Sequence, residues 1–237
     1  MSSIAIITAR GGSKRIPKKN IRNFCGKPII AYSIEAAIKA AIFDEVMVST
    51  DSEEIANIAK QYGAKVPFLR SERNADDHAT TDDVLLEVLE KYKELGRFFS
   101  GLCCLYPTAP FITPEKIRKA YRIFVNNNAA KVICVVPFSF PPQRALIKEN
   151  ETERIKYIFP EKYECRSQDL ERWYHDAGQF YFYRVNDYIA NRGKIINDIY
   201  PIVLSETEVQ DIDNEDDWII AEMKYKLMIA NLTDKGY

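Results

Sequence analysis

Apolar and polar positions along the first half of the chain switch repeatedly between two periods. Residues 4–8 form a short apolar run, Ile4-Ala5-Ile6-Ile7-Thr8, that ends in a glycine-containing loop. A run of that length bounded by turn residues predicts a buried strand. Residues 29–41 change to helical spacing, with Ile30, Ile34, Ala37 and Ile38 on one face. Residues 46–50 predict a strand ending at Asp51. Residues 52–62 predict a helix capped by Ser52, with Glu53 and Glu54 well placed in its first turn. A further strand is expected over 64–69. Residues 81–95 predict a helix with Val84, Leu85, Val88 and Leu89 along its apolar stripe; 101–106 predict a strand, 113–126 a helix and 132–137 another strand.

Strand–helix alternation with short loops indicates the α/β class, a mostly parallel, doubly wound sheet with helices on both faces. Ligands of such sheets bind beyond the carboxyl ends of the strands. The polar residues at those ends are Arg10, Asp51, Arg70, Tyr106 and the segment from Phe138 onward. From there the pattern changes. Residues 138–173 are rich in Pro, Arg, Lys and Glu, with weak alternation around Leu146 and over 155–159. This stretch reads as an inserted arm of short strands within a single domain covering 1–237. Residues 178–183 bring a strand back to the core, 202–204 add a last short one, and 214–229 make the final helix.

Composition narrows the function classes. The 237 residues are 46% hydrophobic and 28% charged, enough for one large domain with a proper core. A net charge of -1 argues against bulk nucleic-acid binding, so any anion site must be local. No apolar run approaches the ~20 residues that span a bilayer, and the start lacks the basic region of a signal peptide. Five cysteines form an odd set without metal-type spacing, which fits a reducing compartment and a cytoplasmic protein.

The loop after the first strand supplies the chemistry. Ala9-Arg10-Gly11-Gly12-Ser13-Lys14-Arg15-Ile16-Pro17-Lys18-Lys19-Asn20 carries five cations within ten residues. Its two glycines permit a tight turn that presents N–H groups to an anion. An ordinary basic surface turn is the plainer reading, but the position after the first strand favours a polyphosphate. The spacing is neither that of a P-loop nor that of a dinucleotide fingerprint. Near the other end, Asp211 and Asp213 occupy alternate positions, which in an extended segment point to one side. Two such carboxylates suit Mg²⁺, although Asp213 or Asn214 could equally cap the last helix. Asp51 has two readings of equal weight, a brace for the loop or a direct site role. Thr80 and Thr81 have two as well, capping of the helix that follows or ligand contact. Arg70 points to an anion or polar ligand, and His78 to simple exposure. The aromatic run over 180–183 reads as core strand.

The segment from Arg10 to Asn20 resembles the opening motif of the cytidylyltransferases that activate nonulosonic acids, the CMP-sialic acid synthetase family. Val48-Ser49-Thr50-Asp51, Leu105-Tyr106-Pro107-Thr108-Ala109-Pro110 and Asp211-Ile212-Asp213 resemble later motifs of that family, in the same order. The likeness covers nearly the whole chain. It implies a Rossmann-like nucleotide-diphospho-sugar transferase fold, a homodimer joined through the inserted arm, and CMP transfer from CTP to the anomeric hydroxyl of a sugar acid with Mg²⁺ on Asp211 and Asp213. It further implies nucleotide contacts from Ala9, Arg10, Gly11, Gly12, Ser13, Lys14, Lys19 and Asn20, with Arg70, Asp77 and Thr80 around the cytosine. Arg10, Lys14 and Lys19 would offset charge during transfer. Tyr106, Arg166, His175, Asp176 and Gln179 fall where the family holds its sugar. His175-Asp176-Ala177-Gly178-Gln179 departs from the sialic acid pattern Arg-Pro-Asn-Gly-Ala, and the stretch from Arg166 to Tyr181 is similar to the pseudaminic acid branch. Sialic, legionaminic and ketodeoxyoctonic acids are the rival acceptors. An inactive nucleotide-binding regulator is the rival of another class.

Overall fold

The computed structural model describes residues 1–76, 78–150 and 152–233, the side chains of the last two excepted. Strand β1 (Ser3–Thr8) alternates its side chains between two cores. Ala5 and Ile7 face one, Ile4 and Ile6 the other, and all four are fully buried. That period-2 division is what a central strand with both faces covered requires.

The phosphate-type loop runs into a small antiparallel pair, β2 (Asn23–Phe24) and β3 (Lys27–Pro28), and then α1 (Ile29–Ala40). Ile30, Ile34 and Ala37 of α1 are buried as its spacing predicts, but Ile38 is exposed. Strand β4 (Glu45–Ser49) leads to α2 (Glu53–Gln61), where the Ser52 hydroxyl accepts from Ile55 N–H at 3.4 Å. Thr80 caps α3 (Thr81–Glu94) in a reciprocal box with Asp83. Strand β5 (Gly101–Leu105), helix α4 (Pro114–Asn126) behind the Thr113 cap, and β6 (Lys131–Pro137) follow.

The main sheet has the order β10-β6-β9-β5-β1-β4. Strand β1 is parallel to β4 and β5, and β6 to β10 (Ile199–Val203). Strand β9 (Tyr174–Arg184) runs antiparallel between β5 and β6, with a register shift near Ile133. It is longer than the 178–183 segment that its apolar run predicts, because its exposed first residues are held only by pairing with the end of β6. The expected strand over 64–69 is not formed. A single backbone bridge, Met47 to Lys65, pairs it with β4, and Pro67 offers no N–H to continue a ladder.

Between β6 and β9 the chain leaves the sheet to form a hairpin, β7 (Leu146–Lys148) with β8 (Ile155–Tyr157), whose residues are all exposed. Its root is tied by Phe138 N–H to the Trp173 carbonyl at 3.1 Å and by buried Gln143, whose Nε2 donates to the Glu171 carbonyl at 2.7 Å. A short helix that the pattern does not predict, α5 (Val185–Ala190), buries Val185 and Tyr188 beneath the sheet. Helix α6 (Glu215–Thr233) closes the chain. Its Trp218 and Ala221 pack with Phe24, Ile29 and Phe111 in a third cluster, which docks the C-terminal helix beside the basic loop. Among the described residues no helix is long and apolar enough to cross a membrane.

Candidate active site

Two adjoining clefts open along the carboxyl edge of the parallel strands. The first, about 390 Å³, is lined by the basic loop (Arg10, Ser13, Lys14, Arg15, Lys19, Asn20), by Thr8, Arg70, Asn74 and Asp76, by the start of α3, and by Tyr106, Pro107 and Thr108. The second, about 510 Å³, lies between the start of β9 (His175, Asp176, Gly178), the segment from Glu206 to Asp211, and Lys224 of α6. Asp211 lines both.

The loop is shaped by internal hydrogen bonds that consume several of its groups. Ala9 N–H donates to the Ser49 carbonyl at 2.9 Å, and Gly11 N–H donates to Asp51 Oδ1 at 2.8 Å. The Gly11 amide, one of the two that the glycine pair is expected to offer an anion, is thus engaged at the β4 end, as is the Ala9 amide. Asp51 is a brace for the loop, reaching it at Gly11. Among the described residues Gly12 N–H has no protein partner, and a Cβ there would meet nothing within 4 Å. Its amide is the one the glycine pair leaves for an anion. Neither glycine takes a left-handed conformation; in this loop that belongs to Lys18, at φ 53°. Gly11 is required instead by the close approach of Ser52, whose Cβ would lie 3.1 Å from an added methyl. Asn20 is buried and donates from Nδ2 to the Arg10 carbonyl at 2.9 Å, holding the two ends of the loop together.

Lys19 joins the loop to the acidic segment. Its Nζ donates to the Ile212 carbonyl at 2.6 Å and lies 3.8 Å from Asp213 Oδ1, across 193 positions of sequence. Burial pushes the Lys19 ammonium below its ordinary range, against the opposing pull of Asp213 and Asp211. Asp213 Oδ1 also pairs with exposed Arg15 at 2.8 Å. Ile212, between the two acids, is buried in the α6 cluster, so Asp211 and Asp213 both face outward as alternate positions should. The capping role falls to Asn214, whose Oδ1 accepts from Asp217 N–H at 3.0 Å. The two aspartates are thus released from the helix start. Among the described residues no three metal-type side chains converge. The donor set on offer is a pair of carboxylates, which suits a hard ion that completes its shell with phosphate oxygens and water.

Other expected contacts are placed differently. Arg70 is at the first cleft, but its Nε and Nη2 donate to Ser49 Oγ at 3.2 Å and to the Ser49 carbonyl at 2.7 Å. Burial depresses its pKa. Thr80 lines the cleft with its hydroxyl spent on Asp83, so its capping reading is the one the structure supports. His78 is exposed. Asp77 lies outside the described residues. Tyr106, expected at the sugar, lines the first cleft. Gln179 lines neither cleft: it is 2% exposed, and its Nε2 donates to the Glu208 carbonyl at 2.6 Å. Arg166 reaches neither cleft of its own chain and pairs with Asp169 at 2.8 Å on the arm. His175 and Asp176 do reach the second cleft, with His175 Nδ1 2.9 Å from the Asp176 carbonyl. Asn74, Asp76 and Lys224 are lining residues for which no sequence signal stood out, whereas Thr108 lines the first cleft from within the 105–110 motif. The first three come to the clefts only through long-range packing.

Comparison with known proteins agrees with this architecture. The family described as Cytidylyltransferase matches residues 4–226. Pseudaminic acid cytidylyltransferase of Campylobacter jejuni subsp. jejuni serotype O:2 is 41% identical over 96% of this chain and 97% of its own length. CMP-N,N'-diacetyllegionaminic acid synthase of Legionella pneumophila is 37% identical over 98% of each. Among solved structures, a CMP:2-keto-3-deoxy-manno-octonic acid synthetase complexed with CTP superimposes with a TM-score of 0.69 at 17% identity, covering 97% of this chain and all of that one. At that identity the likeness speaks for the fold. A strand-end basic loop tied by Lys19 to an acidic pair, on a sheet shared with such nucleotidyltransferases, accords with a match over nearly the whole sequence: the chain belongs to the cytidylyltransferase family and is a nucleotidyltransferase.

Proposed function

We propose that the protein transfers CMP from CTP to the anomeric hydroxyl of a nonulosonic acid, pseudaminic acid first among them, and releases pyrophosphate. The observation that carries this reading is the Lys19 tie, which sets the phosphate loop against Asp211 and Asp213 at the junction of two clefts. The first cleft suits CTP and the second the sugar acid, with the α-phosphate beside Asp211 where they meet. The identity to the Campylobacter jejuni protein supports pseudaminic acid as the acceptor.

The attacking oxygen forms its bond to the α-phosphorus as the bond to pyrophosphate breaks in line, and the hydroxyl proton leaves with solvent or a nearby base. Arg10, Lys14 and Lys19 hold the triphosphate and offset charge gathering on the departing pyrophosphate. Gly12 N–H and the Ser13 hydroxyl add donors to the same phosphates. Asp211 and Asp213 would hold Mg²⁺, which when bound neutralises phosphate charge; Arg15 would then exchange Asp213 for a phosphate. His175, Asp176 and Lys224 frame the acceptor, and the cationic Lys224 suits its carboxylate.

We assign the reaction to the cytoplasm, in keeping with the five free cysteines, and to a homodimer. Phe140 and Tyr163 in the arm are 85% and 62% exposed, an apolar surface that a second copy would cover. The deciding experiment supplies CTP and Mg²⁺ with pseudaminic, legionaminic, sialic or ketodeoxyoctonic acid and measures pyrophosphate release. Turnover with pseudaminic acid at the highest kcat/KM is expected. Preference for another of the four would reassign the acceptor, and no turnover with any would end the reading.

A further inference from the structure

A packed pair of tyrosines stands between the two clefts. Tyr106 follows β5 and lines the first cleft; Asp176, on β9, lines the second. Between them stands Tyr181, 6% exposed and part of neither wall. Its hydroxyl donates to Asp176 Oδ1 at 2.8 Å, and its ring leans on Tyr106 with centroids 5.6 Å apart.

A carboxylate only accepts, and a phenol has one proton to give. Tyr181 gives its proton to Asp176. Asp176 Oδ1 also accepts Gly178 N–H at 2.8 Å. That oxygen is therefore saturated, and Oδ2, which has no partner among the described residues, is left facing the second cleft.

We propose that Tyr181 is a positioning residue that presents Asp176 Oδ2 to an N–H or O–H donor on the acceptor. This rests on the proposed transfer to a sugar acid in the second cleft. An acylamino N–H or a ring hydroxyl fits a fixed carboxylate oxygen, whereas an acceptor bearing only an ether or a methyl there leaves it unpaired. Tyr181 touches neither substrate; it acts through Asp176.

Tyr181→Phe keeps the ring and removes one oxygen, so the packed position is retained. The assay measures KM for the preferred acid, kcat, and CTP binding by calorimetry for wild type, Tyr181→Phe, Asp176→Ala and the double variant. Tyr181→Phe is expected to raise acceptor KM about 10-fold, the scale of one hydrogen bond to a charged group, with CTP affinity within about 2-fold of wild type. In the Asp176→Ala background the same substitution should change acceptor KM by less than about 2-fold, because its partner is already gone. An unchanged acceptor KM in Tyr181→Phe overturns the proposal. So does an effect that persists undiminished beside Asp176→Ala, or a loss of CTP affinity equal to the acceptor effect, either of which marks a general packing role. Wild-type protein that turns over none of the four acids would instead remove the reading beneath the proposal.

Discussion

Lys19 carries two tasks. It lines the first cleft, and its ammonium also holds the Ile212 carbonyl and stands beside Asp213. Lys19→Ala should lower kcat/KM by about 10²–10³, the scale of losing one preorganised charge at a transferring group. The effect should fall on kcat as well as on CTP KM, measured by pyrophosphate release. Lys18, three-dimensionally close but turned outward, pairs with Glu54 at 2.7 Å on the surface, and Lys18→Ala should change kcat/KM by less than about 3-fold. A loss of similar size in both variants would make the loop a diffuse basic patch instead of an ordered site. The metal assignment has its own test: Asp211→Ala and Asp213→Ala should each abolish most pyrophosphate release and the dependence of the residual rate on Mg²⁺.

At the scale of elements, the wall of the first cleft depends on how α3 grips the segment before it. The Glu87 carboxylate accepts Ser71 N–H and Ser71 Oγ, both at 2.9 Å, bonds Asn74 Nδ2, and pairs with Lys91 at 2.7 Å. Burial alone would raise its pKa, yet Lys91 and those donors hold it down to about 2. A carboxylate depressed in the folded state stabilises fully above its unfolded pKa and loses that contribution as pH falls toward the folded value. The Tm difference between wild type and Glu87→Gln should thus be constant above about pH 5.5 and shrink from about pH 4.5 downward. A difference independent of pH down to 3 would refute the clasp. The same helix offers a cleaner separation of cap from ligand. Thr80→Ala should cost about 1 kcal/mol of stability and Thr80→Ser almost none, with CTP affinity little changed in either.

For the whole molecule, the arm carries a group of exposed apolar side chains on one hairpin. Leu146, Ile147, Ile155 and Ile158 are each about half exposed. Solution scattering should give a mass twice that of the chain. Replacing residues 146–157 by a short Gly-Ser turn should give a monomer that keeps its far-ultraviolet circular dichroism. A wild-type monomer would withdraw the dimer.

Local chemistry was legible in the residues themselves. The caps at Ser52 and Thr80, the stripe of α3, and the apolar run of β1 each depend on neighbours within a few positions. The basic loop was likewise apparent, because a glycine pair and five cations after a strand need no distant partner to be noticed. Helix α5 escaped notice because six residues carry too little periodicity, and the segment over 64–69 misled because an apolar composition says nothing about whether a ladder continues past Pro67. What folding alone decided was which groups are spent and which are left over. Ala9, Gly11 and Gln179 have the right chemistry for a ligand, yet Ser49, Asp51 and Glu208 accept from their N–H groups, and Ser49 takes part of the Arg70 guanidinium. Lys19 meets Ile212 only after the sheet has closed. A side chain's capacity to bond is written in its own atoms, but each donor can be used once. The partner that claims it is chosen by packing across as many as 193 positions.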